Sequence, residues 1–154
     1  MPADGAALGS PETYIGSMRA ERFASPGGLR NDQAQAYLAP QLRERNQWGL
    51  SGRWTVHGEA AVLGAARGSI LFRFHARDLH LVLGPGAGPV RFRIRINGQA
   101  PGADHGADCD QQGFGIVIED RLYQLVRQRG TVEDRTFEIE FLDPGVQAFA
   151  FTFG

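Results

Sequence analysis

Apolar and polar side chains alternate at period two through the last two-thirds of the chain. Ile70, Phe72 and Phe74 alternate with Leu71, Arg73 and His75; Leu79, Leu81 and Leu83 alternate with His80 and Val82; Phe92, Ile94 and Ile96 alternate with Arg91, Arg93 and Arg95. Successive side chains of an extended chain leave opposite faces, so each segment reads as a half-buried strand of a mostly antiparallel sheet. Arg77-Asp78 marks a tight connection, residues 84–89 form a Gly/Pro breaker cluster, and Asn97-Gly98 supplies the positive φ angles of a type I′ turn. Further strands are predicted over 114–118, 122–128, 136–142 and 146–153, the last two joined through Asp143-Pro144-Gly145. Phe137, Ile139 and Phe141 share one face, and alternation places Phe149, Phe151 and Phe153 on one face as well. Six large side chains would then stitch two sheets together. Glu138 and Glu140 face the other way, and pairing with the Arg stripe of residues 91–95 would contribute roughly 0.2–1 kcal/mol per exposed pair.

The first third is less regular. A strand is expected within 13–20, a turn at Ser25-Pro26-Gly27-Gly28, and a short helix over 31–38, capped by Asn31 or Asp32 and stopped by Pro40. Residues 47–56 carry both tryptophans on a strand, and 59–65 form a short apolar segment. Residues 1–11, rich in Ala, Gly and Pro, read as a linker or cloning remnant, leaving 12–154 as one domain. About eight short strands with regular turn signals predict an all-β fold, an antiparallel β-sandwich or jelly roll.

Composition narrows the functional classes. At 154 residues and 42% hydrophobic content, the chain suits one domain with its own core. A net charge of -1, from 16 basic and 17 acidic residues, lacks the footprint of a nucleic-acid or acidic-membrane binder and favours neutral partners. Every basic residue is Arg, which suits rigid surface pairing and equally a G+C-rich coding sequence. There is neither a signal segment nor a run of about 18 apolar residues, so direct membrane insertion is not expected. Cys109 is the single cysteine, which excludes an intrachain disulfide and a Cys-x-x-Cys pair.

Several segments, in order, carry a family resemblance: residues 12–16 (Glu-Thr-Tyr-Ile-Gly), 76–83 (Ala-Arg-Asp-Leu-His-Leu-Val-Leu), 105–108 (His-Gly-Ala-Asp), 120–127 (Asp-Arg-Leu-Tyr-Gln-Leu-Val-Arg) and 148–154 (Ala-Phe-Ala-Phe-Thr-Phe-Gly). Together they resemble the C-terminal module of DipZ-type thiol:disulfide interchange proteins, over nearly all of the chain from Pro11 onward. The resemblance implies a jelly roll of galactose-binding-like, carbohydrate-binding-module-like form, following a thioredoxin-like domain in a protein linked to cytochrome c biogenesis. It also implies an extracytoplasmic, periplasmic setting and an upstream thioredoxin-like partner in the same polypeptide. Cys109 matches no redox-motif position, so the family's electron transfer falls on no residue here.

Candidate chemistry gathers in a few places. Asp104, His105, Asp108, Cys109 and Asp110 crowd one Gly-bounded loop, where turn capping, ligand binding and a weak metal site at Asp104, Asp108 and Asp110 are all open; EF-hand spacing and its closing Glu are missing. Trp54 and Tyr123 are ring types that stack on sugars, but core packing is their commoner use, and the alternation through residues 52–56 favours a buried or half-buried place for Trp54. In the strand around Tyr123, Gln124 and Arg127, either parity brings a polar side chain inward, where an unpaired group costs about 1–3 kcal/mol. His57, His75, His80 and His105 lack any accompanying nucleophile elbow or His-Glu-x-x-His pattern. The expectation is therefore a noncatalytic binding module, without catalytic residues or cofactor, that recognises a glycan or docks a protein. Its ligand-binding candidates are Trp54, His105, Asp108, Asp110, Tyr123, Gln124 and Arg127. The alternatives are a metal-assisted hydrolase or thiol enzyme built on the 104–110 loop, and a purely structural interaction domain.

Overall fold

The computed structural model describes residues 8–154. They form eleven strands: β1 Thr13–Tyr14, β2 Ala34–Tyr37, β3 Trp48–Val56, β4 Ala61–Leu63, β5 Gly68–Phe74, β6 Asp78–Gly84, β7 Val90–Ile96, β8 Phe114–Val117, β9 Arg121–Arg127, β10 Arg135–Phe141 and β11 Gln147–Phe153. A 3-10 turn, Gly102–Asp104, interrupts the long loop between β7 and β8. All strand-to-strand ladders are antiparallel.

Two layers face each other, as the period-two pattern requires. One runs β8-β7-β10-β5-β3 and the other β3-β4-β11-β6-β9, with β1 beside β11 and β2 beside β3. β3 belongs to both: Trp48 to Ser51 pair with β5, whereas Trp54 to Val56 pair with β4. The strand turns from one layer into the other at Gly52, whose φ is 97° and where a Cβ would stand 2.8 Å from the Cα of Gly68. Only glycine tolerates both the left-handed backbone and that approach.

Aromatic rings fill the space between the layers. Phe72 lies 4.8 Å from Phe151 and 5.2 Å from Phe153 across the sandwich, and Trp54 meets Phe141 edge-on at 6.0 Å. Each such side chain contributes roughly 1.5–3 kcal/mol by leaving water. Both tryptophans are buried, yet neither indole N–H is orphaned: Trp48 donates to the Glu21 carbonyl and Trp54 to that of Ser51. The sequence-derived Arg–Glu pairing holds in register, with Glu138 opposite Arg95 and Glu140 opposite Arg93. Arg95 reaches Glu140 at 3.9 Å, while Arg91 turns to Asp143 at 2.8 Å. Asn97 and Gly98 adopt φ of 52° and 78°, the predicted tight turn.

Three expectations are overturned. Residues 31–38 contain no helix: Ala34–Tyr37 is a strand laid along β3, with Tyr37 opposite Gly52. Asp32 takes φ of 60° instead of capping, and the open edge of β3 recruits the backbone that a helix would have bonded internally. The predicted first strand shrinks to Thr13–Tyr14, because the chain turns away at Gly16. Phe149 does not join Phe151 and Phe153 in the core; a β-bulge between Ala148 and Ala150 inserts it as an extra residue and turns it outward.

A second bulge lies in β9, where Leu79 pairs with Val126 but His80 pairs with Gln124. Tyr123 and Leu125 point inward before it, Val126 and Gln128 after it. The buried Gln128 amide is satisfied by the carbonyls of Ala76 and Glu133 and by the Glu133 N–H. Of the opening segment, residues 1–7 lie outside the described residues; Gly9 donates its N–H to the His75 carbonyl at 2.7 Å, and Ser10 is buried. Among the described residues no helix is long and apolar enough to cross a membrane.

Candidate functional site

The 104–110 loop packs along the outer edge of β9, and its polar groups are engaged there. Gly106 and Asp108 donate backbone N–H groups to the Leu125 and Gln124 carbonyls, so the loop continues the sheet that β9 would otherwise end. Gly106 permits this approach, since a Cβ there would come within 2.3 Å of the Gln124 carbonyl oxygen. The Asp108 carboxylate accepts both terminal nitrogens of Arg121, at 2.8 and 3.1 Å, and the Gln124 N–H at 2.7 Å. Desolvation opposes ionisation, but those three bonds prevail and hold Asp108 below the ordinary carboxylate range. Asp110 accepts the N–H groups of Gln112 and Phe114, and Asp104 that of Arg129. These acids cap backbone, the commonest task of Asp in a turn.

Cys109 faces inward, with its thiol 3.3 Å from the Leu125 carbonyl. Burial pushes the thiol up to about 11, and the neighbouring carboxylates of Asp110 and Asp108 push the same way against a hydrogen bond to Gly106. A thiol so protonated at neutral pH is a poor nucleophile. Among the described residues no group of three or more His, Cys, Asp or Glu side chains is placed to hold a metal ion.

Beside the loop, on the outer face of the β6–β9 ladder, lies a groove of about 160 Å³ lined by Asp78, His80, His105, Gln124, Arg127 and Arg129 among others. Arg127 pairs with Asp78 at 3.3 Å. His105 donates its Nδ1–H to the Gly106 carbonyl at 2.8 Å. Burial lowers the pKa of His80, an effect that the Asp78 carboxylate partly offsets, so the balance favours the neutral imidazole. The groove therefore gathers two imidazoles and an amide around a paired charge.

Of the residues singled out from sequence, His105, Gln124 and Arg127 meet in this groove. Asp108 stands behind it as the brace of Arg121, and Asp110 caps the turn into β8. Trp54 and Tyr123 lie apart, fully buried. Tyr123 donates its hydroxyl to the Glu119 carbonyl at 2.8 Å and takes the Arg121 guanidinium over its ring at 3.9 Å. Sequence reasoning missed Asp78 and Arg129 as groove residues, and it set His80 aside because no nucleophile elbow or His-Glu-x-x-His pattern accompanies it. Their outward parity is visible in the pattern, but nothing local announces that β6 neighbours β9.

The described residues thus form an all-β sandwich whose densest polar loop has its carboxylates engaged by backbone N–H groups and by Arg121. The chain belongs to the family described as the thioredoxin like C-terminal domain, which matches residues 10–154. Among similar proteins are Protein DipZ of Mycobacterium bovis and Protein DipZ of Mycobacterium tuberculosis, each 26% identical over 145 residues. The aligned region covers 94% of this chain and 18% of each relative, so the chain spans less than a fifth of the length of those relatives.

Proposed function

We propose that this domain is a noncatalytic binding module that serves a thioredoxin-like domain of the same polypeptide, outside the cytoplasm, by holding it near a glycan or protein target. The observation that carries this reading is the state of the 104–110 loop: the carboxylates of Asp104, Asp108 and Asp110 accept backbone or Arg121 hydrogens, and the Cys109 thiol is buried. Groups so engaged suit neither the metal-assisted hydrolase nor the thiol-enzyme alternative, both of which need an accessible, activated ligand or nucleophile. A module that only binds accelerates its tethered neighbour by raising local concentration, an effect that requires no new chemistry.

The test is thiol–disulfide exchange by this chain alone, followed with a glutathione mixed disulfide at pH 7. The expected rate equals that of a small-molecule thiol at the same concentration or falls below it. Turnover that Cys109→Ser abolishes would overturn the proposal. A purely structural docking role is favoured by a second observation. Phe114, Ile116, Ile118 and Leu122, on and between the edge strands β8 and β9, are 45%, 46%, 58% and 39% exposed. That reading expects Ile116→Asp to weaken attachment to the neighbouring domain in the full polypeptide without lowering the module's own stability.

A further inference from the structure

Among the described residues a second concavity, larger than the groove, lies away from the 104–110 loop. It is a two-lobed cleft on either side of the 16–19 turn, one lobe bounded by the 58–59 turn and the other by residues 11–14, 21–22 and Asn46, and each lobe has a volume of about 430 Å³. Tyr14, Met18 and Arg19 belong to both lobes. One lobe is mainly apolar, floored by Phe149, Ala150 and Val82 with Glu59 at its margin, and the other is about half polar, with Glu12, Glu21, Arg22 and Asn46. The volumes fall in the range of small-molecule sites, roughly 300–1,000 Å³.

The floor exists because of the β11 bulge. Ala148 points inward opposite Leu83, Phe149 is the inserted residue, and Ala150 lies opposite Val82, so two successive residues face out and Phe151 returns to the core. A large ring that could have added to the aromatic core is instead presented at the surface, and bulges commonly re-aim side chains in this way next to sites.

The walls are preformed. Ile15 donates to the Phe149 carbonyl at 2.9 Å, Ser17 to His57 at 2.8 Å and Met18 to Gly58 at 3.0 Å. Gly16 allows the two turns to touch, because a Cβ there would stand 2.4 Å from the Gly58 carbonyl oxygen. A cleft held by backbone bonds loses little conformational freedom on binding.

The chemistry of the lining selects the occupant. The Arg19 guanidinium sits 4.7 Å over the Tyr14 ring, and the Tyr14 hydroxyl donates to Glu12 at 2.7 Å. Arg19 and Glu59 form no ion pair with another described residue. Three carboxylates (Glu12, Glu21, Glu59) against two guanidiniums (Arg19, Arg22) leave no strong field for an anion or a cation. Met18, at the rim, is 74% exposed. An apolar floor beside planar acceptors and donors of balanced charge matches a ring with one C–H face and a periphery of hydroxyls. We infer that this cleft binds a neutral oligosaccharide, one sugar ring lying on Phe149 and Met18 and its neighbour reaching the more polar lobe past Arg19. The inference rests on the binding-module reading and names its ligand class and place.

The test is a calorimetric and 15N-NMR titration of this chain with a panel of neutral gluco-, manno- and galacto-oligosaccharides at millimolar concentration. Saturable binding is expected, with shifts confined to residues 14–19, 58–59 and 149–150. Phe149→Ala should weaken it by several-fold to about tenfold, the scale of one lost ring contact. The exposed variants Met18→Ala and Arg19→Ala should do the same with thermal stability unchanged, so a folding defect of Phe149→Ala does not decide the matter. No binding by any sugar overturns the inference while leaving protein docking by the module intact. Sugar shifts centred on His105, Gln124 and Arg127 overturn the place but not the module reading. Saturable binding of an apolar peptide in the cleft, with none of sugar, overturns the ligand class. Catalysed thiol exchange in the previous assay would remove the reading beneath all of these.

Discussion

Replacing Asp108 separates a structural loop from a reactive one. Its carboxylate accepts three charge-assisted hydrogen bonds, two from Arg121 and one from the Gln124 N–H, and its side chain is 19% exposed. Bonds to a charged group contribute roughly 1.5–3 kcal/mol each, but these three share one carboxylate and Arg121 is 38% exposed, so water replaces part of the loss. Asp108→Ala should therefore cost about 2–3 kcal/mol, and Asp108→Asn, which keeps one acceptor oxygen, about 1–2 kcal/mol. In a domain of this size that corresponds to a fall in Tm of about 5–10 °C for the alanine variant. The cost should also depend on pH. The folded carboxyl lies below its ordinary value of 3.8, so the unfolded chain takes up the proton first as pH falls. The stabilisation is complete above that value and disappears as pH drops through the folded pKa. Urea unfolding at pH 7 and near pH 2.5 measures both. A difference between wild type and Asp108→Ala that is equally large at both pH values would refute the ion-bond account. A variant of unchanged stability that lost a bound metal would refute the structural reading of the loop altogether.

Other consequences follow from single residues. Cys109, with its thiol near 11 and its side chain buried, should react with iodoacetamide at pH 8 far more slowly in the folded protein than in denaturant; equal rates would contradict its placement. Gln128→Ala strips partners from the Ala76 and Glu133 carbonyls and the Glu133 N–H, and urea unfolding should show a loss of about 2–3 kcal/mol. Because Trp48 and Trp54 are both fully buried, their emission should be blue-shifted, resist acrylamide quenching and stay unchanged during a sugar titration. A sugar-induced shift would place a ligand in the core region instead of the cleft.

Much of the sandwich was legible from alternation alone. The strands carrying Phe72, Phe92, Ile139 and their neighbours fall where period two puts them, and even the facing of Glu138 and Glu140 with the Arg stripe follows once β7 and β10 are adjacent. What the pattern does not carry is long-range partnership. Residues 34–37 are too short to declare a strand, and they become one only because Gly52 to Thr55 of β3, 15 to 21 positions further along the chain, offer an unpaired edge. The same reason hid the groove: Asp78 and His80 are ordinary outward residues until β9 lies alongside. Trp54 and Tyr123 mislead in the opposite sense, since ring chemistry suggests a sugar platform while the inward parity of β3 and β9 decides for the core.

The two bulges explain why the surface was harder to read than the interior. A strand without interruption assigns every side chain to a face from one known position, and one inserted residue reverses the assignment for everything beyond it. In β9 the insertion at Leu125 keeps Arg127 on the same outer face as Gln124 and sends Gln128 inward, which creates the groove. In β11 the insertion at Phe149 moves one ring from core to surface while Phe151 and Phe153 keep their inward places, which creates the floor of the cleft. Core positions survive such a shift because an apolar residue is available on either side of it, Leu125 and Val126 in one strand, Ala148 and Phe151 in the other. The outward face has no such redundancy, so each bulge changes which side chains a ligand would meet. Both concavities therefore sit where the alternation breaks, and the departures from period two, not the period itself, mark the surfaces of this fold on which recognition chemistry can be built.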